Sequence, residues 1–181
     1  MAAKPIIVVV TGHRLNQLPE AERPRIARDV GRAVAQIGEA AEEAVGKRPL
    51  VLASGVAEGA DWYAAAKVWS VTPEQVAAAG GGSAAPYAAL ARELAAMADV
   101  VIAVWSGNPP AGPGGTAEVA ALAHAAGAPV LWTPTQEHHA PRLIPGGVAK
   151  RAATKSKLSA ALAERYDVIA KPDAMRVAEA K

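Results

Sequence analysis

The sequence predicts an α/β fold in which a mostly parallel sheet of four to five strands is flanked by helices in three layers. Three observations predict it. Four short apolar runs, residues 5–10 (PIIVVV), 49–53 (PLVLA), 98–105 (ADVVIAVW) and 129–133 (PVLWT), lack the polar alternation of a half-exposed strand and read as strands buried on both faces. Helix-forming segments fall between several of them. Glycine-rich or polar turns follow the strands, as strand-to-helix connections require. Strands alternating with helices imply right-handed crossovers and hence a build of the Rossmann-like kind.

Residues 5–10 form the first strand and end in Thr11-Gly12. From 20 to 45, Ile26, Val30, Val34, Ile37, Ala41 and Val45 recur at helical spacing with Arg and Glu between them, which predicts a long amphipathic helix. The second strand, 49–53, is broken by Ser54-Gly55, and Gly59-Ala60-Asp61 opens a helix expected to run to about residue 69. Between 68 and 86 the sequence supports at most a very short strand at 68–71, and Gly80-Gly81-Gly82-Ser83 reads as a connector. The third strand, 98–105, leads through a Gly/Pro loop (107–115) to an Ala-rich helix at 116–126, closed by Gly127-Ala128-Pro129 before the fourth strand. In the tail, Leu158, Leu162, Tyr166 and Ile169 are spaced for a helix that packs outside the sheet or on another subunit.

At 181 residues the chain suits one domain that folds without staples. The expected division is a nucleotide-binding body at 1–135 and a loop with a helical extension at 136–181. The absence of cysteine excludes disulfides, thiolate zinc sites and cysteine nucleophiles, and fits a reducing cytoplasm. The apolar run before Thr11 is short, and no stretch approaches the ~20 apolar residues of a membrane span, so neither secretion nor a membrane is expected. Residues 1–141 carry 10 Lys/Arg against 13 Asp/Glu, and 142–181 carry 9 against 4. A basic tail permits contact with nucleic acid, but a solvated basic helix is the simpler expectation.

Ligands of a parallel α/β sheet bind at the carboxyl ends of its strands, so the chemistry is sought in the turns there. Pro113-Gly114-Gly115-Thr116-Ala117-Glu118 is the best phosphate cradle: two glycines precede a helix, and Thr116 either caps that helix or donates to a phosphate oxygen. Ser54, Gly55, Gly59 and Asp61 define a second glycine-bracketed turn, where Asp61 either complements the helix dipole or holds a ribose hydroxyl. Glu58 and Glu118 are candidates for the same task or for general acid/base work. His13-Arg14 follows the first strand, where an arginine fork suits phosphate and a histidine hydrogen-bonds or titrates. Trp105, at the tip of the third strand before Ser106 and Gly107, either stacks on a base or belongs to the core. His138-His139 has no third ligand at helical spacing, so no metal and no cofactor are expected.

Taken together, Thr11-Gly12-His13-Arg14, the stretch from Ser54-Gly55 through Glu58 and Gly59 to Asp61, and residues 99–105 leading to Gly114-Gly115-Thr116-Ala117-Glu118 resemble the SLOG superfamily. That group is named for the DNA-processing protein and the Lonely Guy phosphoribohydrolases, and the resemblance spans roughly residues 6–133. It implies a Rossmann-like domain that binds nucleotides or their derivatives, often as a dimer. In the phosphoribohydrolase branch a glutamate after the glycine-rich loop assists cleavage between base and ribose 5′-phosphate, and Glu118 matches it. Beside those relatives the chain is compacted around its Gly-Gly-Gly-Ser connector, and it has Trp105-Ser106-Gly107 where they carry Trp-Asp-Gly.

The leading expectation is a sensor or carrier that holds a small phosphorylated nucleotide derivative. The alternative is a phosphoribohydrolase, an N-glycosidase acting on nucleoside 5′-monophosphates through Glu118 or Glu58. A DNA-handling protein ranks third, because the few Trp and Tyr residues are not interleaved with the basic ones.

Overall fold

The computed structural model describes residues 4–55, 67–68, 73–78, 80, 84–109, 112–136 and 141–144. They build a six-stranded sheet in the order β3-β2-β1-β4-β5-β6, where β1 is Ile6–Gly12, β2 Leu50–Ser54, β3 Lys67–Val68, β4 Val100–Trp105, β5 Val130–Pro134 and β6 Arg142–Ile144. The first five strands run parallel and β6 pairs antiparallel with β5. This is the doubly wound, three-layer Rossmann-like arrangement, with helices on both faces of a mostly parallel sheet.

One face carries α1, Arg23–Val45, which follows a short 3-10 turn at Glu20–Glu22. Pro24 sits in its first turn, where a missing N–H costs nothing, and Gly46 ends it with a φ of +76°. The buried stripe Ile26, Val30, Ala33, Ile37 and Ala40 packs on Ile6, Val8 and Val10 of β1 and on Val100, Ile102 and Val104 of β4. Alternate residues of the same strands, Val9, Val101 and Ala103, point to the opposite layer. There α3 (Ala85–Met97) and α4 (Thr116–Ala125) meet the sheet through Ala91, Leu94, Ala95, Val119, Ala120 and Ala123. Small side chains let these helices approach the strands closely, so this layer is built of alanine where the other is built of Ile and Val. A six-residue helix, α2 (Pro73–Ala78), precedes α3.

Asp99 joins α3 to β4. It is 3% exposed, its N–H donates to Ile7 O at 2.8 Å, and its carboxylate accepts the Ile7 N–H at 2.9 Å. These bonds extend the β1–β4 pairing by one residue and set the register Val8 to Val100 through Gly12 to Val104.

Three departures from the sequence expectations have physical reasons. Lys67 and Val68, expected near the end of a helix, instead pair in parallel with Ala53 and Ser54, because two residues beside β2 complete the sheet edge without needing an apolar run of their own. Neither α2 nor α3 was anticipated: α3 buries alanines on several sides, against the sheet and against α4, which blurs the apolar stripe. Residues 142–144, expected in a loop, form β6, too short to announce itself by alternation. The Gly81 to Ser83 part of the connector and the tail helix lie outside the described residues, as do Glu58, Gly59, Asp61 and His138-His139.

Candidate functional site

From β1 the chain crosses to β2 on one side, and it returns through α3 to β4 on the other. The connections therefore diverge between β1 and β4, and at such a switch point a crevice opens above the carboxyl ends of the two strands. A cavity of about 1030 Å³ lies there. Thr11, Gly12, His13 and Arg14 line it from the end of β1, Trp105 and Ser106 from the end of β4, and Gly114, Gly115 and Thr116 from the start of α4, with Gly55 beyond β2. Ten of the residues singled out from sequence thus share one wall-to-wall space, although more than 100 positions separate the first from the last.

The opening of α4 is arranged around Gly114 and Gly115. Gly114 has a φ of +79°, and a Cβ there would run into the main chain of Tyr87 at the start of α3. Only glycine gives both the left-handed backbone and the close approach. Gly115 is the N-cap, and its carbonyl accepts the N–H groups of Glu118 at 3.0 Å and Val119 at 3.1 Å. The Glu118 carboxylate turns back to accept the Gly114 N–H and is not part of the cavity wall. The N–H groups of Gly115, Thr116 and Ala117 have no partner among the described residues, and all three residues line the cavity. They are first-turn donors at the positive end of a helix dipole. Thr116 is the first residue of α4, and its hydroxyl makes no capping bond.

The end of β1 meets the loop after β4 through His13. Its N–H donates to Val104 O at 3.0 Å, while its Nε2 receives the Ser106 main-chain N–H at 3.2 Å and lies 3.3 Å from Ser106 Oγ. A main-chain N–H can only donate, so Nε2 accepts and the neutral ring carries its proton on Nδ1. Burial lowers the His13 pKa from its ordinary value of 6.5. The Asn108 N–H donates to Ser106 Oγ at 3.4 Å, and the Trp105 indole donates to Asn108 O at 2.8 Å, so the loop is tied at both ends. Trp132 Nε1 donates to Trp105 O at 2.8 Å, and the two rings lie 5.7 Å apart and tilted by 46°. The Arg142 guanidinium sits 5.8 Å from the centre of the Trp132 ring.

Arg14 is exposed on the cavity rim, and its side chain has no partner among the described residues. No carboxylate belongs to the described lining, so the fixed charge there is positive. Three expected residues stand apart from the cavity wall: Ser54 is fully buried in β2, Gly107 takes a φ of +88° against Trp132, and Glu118 is turned back onto Gly114. Tyr87, Leu90 and Leu94, which wall the cavity from α3, went unnoticed in the sequence because α3 itself did. The helical spacing of Leu90 and Leu94 was the available signal. Among the described residues no group of three or more His, Asp or Glu is placed to hold a metal ion, and no helix is long and apolar enough to cross a membrane.

Fold and site together define a doubly wound α/β protein with an anion-compatible cavity at its switch point. Comparison with known proteins finds no matching family model, no similar curated protein and no similar solved structure.

Proposed function

We propose that the cavity binds a nucleotide or phosphorylated nucleotide derivative, and that the protein works as a sensor or carrier of that ligand. The observation carrying this reading is the set of three N–H donors at Gly115, Thr116 and Ala117, without partners among the described residues and opening onto the same space as Arg14, whose side chain is likewise without one among them. A phosphate at the helix opening would satisfy donors that otherwise need water, with the dipole and the arginine both favouring its charge. The cavity volume leaves room for a base and sugar beside it, between Trp105 and the α3 wall. In this reading Glu118 stabilises the loop through Gly114 instead of attending the sugar, which favours binding over glycosidic cleavage. Kinship with the SLOG superfamily is part of the same proposal and rests on the turn motifs alone.

The test is a thermal-shift screen against AMP, CMP, ADP-ribose, cyclic dinucleotides and NAD, with product analysis of every hit. A ligand at 100 times its Kd stabilises the fold by about 2.7 kcal/mol. Stabilisation without turnover supports the sensor or carrier. Release of free base from a monophosphate, lost in Glu118→Gln, supports the phosphoribohydrolase instead, and a screen with no hit removes the nucleotide reading.

A further inference from the structure

The contact between His13 and Ser106 joins two turns 93 residues apart and touches the cavity without needing a ligand to explain it. Nε2 faces two possible donors of one residue, the Ser106 N–H at 3.2 Å and the Ser106 hydroxyl at 3.3 Å. With Nε2 as acceptor, Ser106 Oγ–H points to the ring and leaves Oγ to receive the Asn108 N–H. The chain of bonds continues from Asn108 O to the indole of Trp105, which also lines the cavity. An added proton on Nε2 reverses this order: the imidazolium N–H opposes the Ser106 N–H, donor to donor, and finds an acceptor only if the Ser106 hydroxyl rotates to receive it, which leaves the Ser106 N–H without its partner.

We propose that His13 is a positioning residue which, in its neutral form, latches the Trp105–Asn108 loop to the end of β1, and that protonation at Nε2 releases that wall of the cavity. Among the described residues, the charged or titratable side chains around the cavity are Arg14, on the same turn as His13, and Tyr87 from α3. The opening of α4 adds Glu118, held to Gly114, while β4, its loop and the end of β5 contribute only Ser106, Asn108, Thr135 and Gln136. Burial of the His13 ring disfavours its charged form, so the neutral latch is the resting state.

The test is NMR of the full chain labelled with 15N at histidine rings and tryptophan indoles, titrated from neutral pH downward, with His13→Gln as companion. Glutamine keeps an acceptor that reaches as far as Nε2 and does not titrate. The latch requires the Nδ1–H tautomer at neutral pH, a one-proton transition below 6.5, and a shift of the Trp105 indole signal with the same midpoint. In His13→Gln the Trp105 signal stays at its neutral position throughout. An Nε2–H tautomer, a His13 titration that leaves Trp105 unmoved, or an unchanged Trp105 transition in His13→Gln each overturns the proposal. The wild-type titration decides the matter by itself if the variant does not fold. No ligand enters the experiment, so the latch and the nucleotide reading stand or fall separately.

Discussion

Replacing Gly114 by alanine probes the geometry on which the helix opening depends. Holding an L residue at a φ of +79° costs about 1–2 kcal/mol. The new methyl group also overlaps the main chain of Tyr87, which cannot swing aside as a side-chain tip can, and relieving that overlap costs a further ~1–3 kcal/mol. The combined loss of about 2–5 kcal/mol corresponds to a fall in Tm of roughly 5–15 °C for a domain of this size. Gly115→Ala is the internal control. Gly115 has a φ of −77°, and the nearest atom to an added Cβ is Gly112 O at 3.6 Å, so only a weaker N-cap preference of up to about 1 kcal/mol is lost. Circular dichroism melts of the two variants, one residue apart, separate backbone constraint from mere glycine content. A Gly114→Ala protein that melts within about 2 °C of the wild type, or a Gly115→Ala protein that loses as much, would refute the reasoning.

Three further outcomes are expected. Asp99→Ala leaves the Ile7 N–H without its carboxylate acceptor inside the sheet and lowers the unfolding free energy by about 1–3 kcal/mol, read from urea midpoints. Arg25→Met removes the partner of Glu22 and Asp29, both mostly buried, and frees the bond to Pro134 O at 3.0 Å that ties α1 to the end of β5. Because the guanidinium is partly exposed, the loss is about 1–3 kcal/mol, below that of a fully buried pair. The folded His13 binds its proton less readily than the unfolded chain, whose histidine titrates near 6.5, so acid favours unfolding. The His13 contribution is complete above 6.5 and declines as the pH falls toward the depressed folded value; the urea midpoint of the wild type minus that of His13→Gln therefore decreases on acidification.

What the sequence made legible and what it hid follow from the range of the interactions involved. β1 and β4 stood out because their residues are buried on both faces and so are apolar without interruption, a property of each segment alone. The cavity could be anticipated because a parallel sheet gathers its strand ends at one edge, which carries Thr11 to Arg14, Trp105 and Gly114 to Thr116 together without any knowledge of the packing. α3 escaped notice because alanine serves both its sheet-facing side and its α4-facing side. The remaining surprises are pairwise. That Nε2 of His13 meets Ser106, that Glu118 turns back to Gly114, and that Gly114 must lie against Tyr87 are facts of distance between segments remote or differently oriented in the chain. Hydropathy and spacing carry no record of them.

The N–H donors at the start of α4 are the claim on which the functional reading depends, and amide chemical shifts report on them directly. On titrating AMP into 15N-labelled protein, the account predicts that the largest shifts fall on the Gly115, Thr116 and Ala117 amides, and that Arg14→Ala weakens the apparent affinity about tenfold or more while the same amides still respond. Saturating AMP that leaves those three amides unmoved, or moves only residues remote from the cavity, would contradict it.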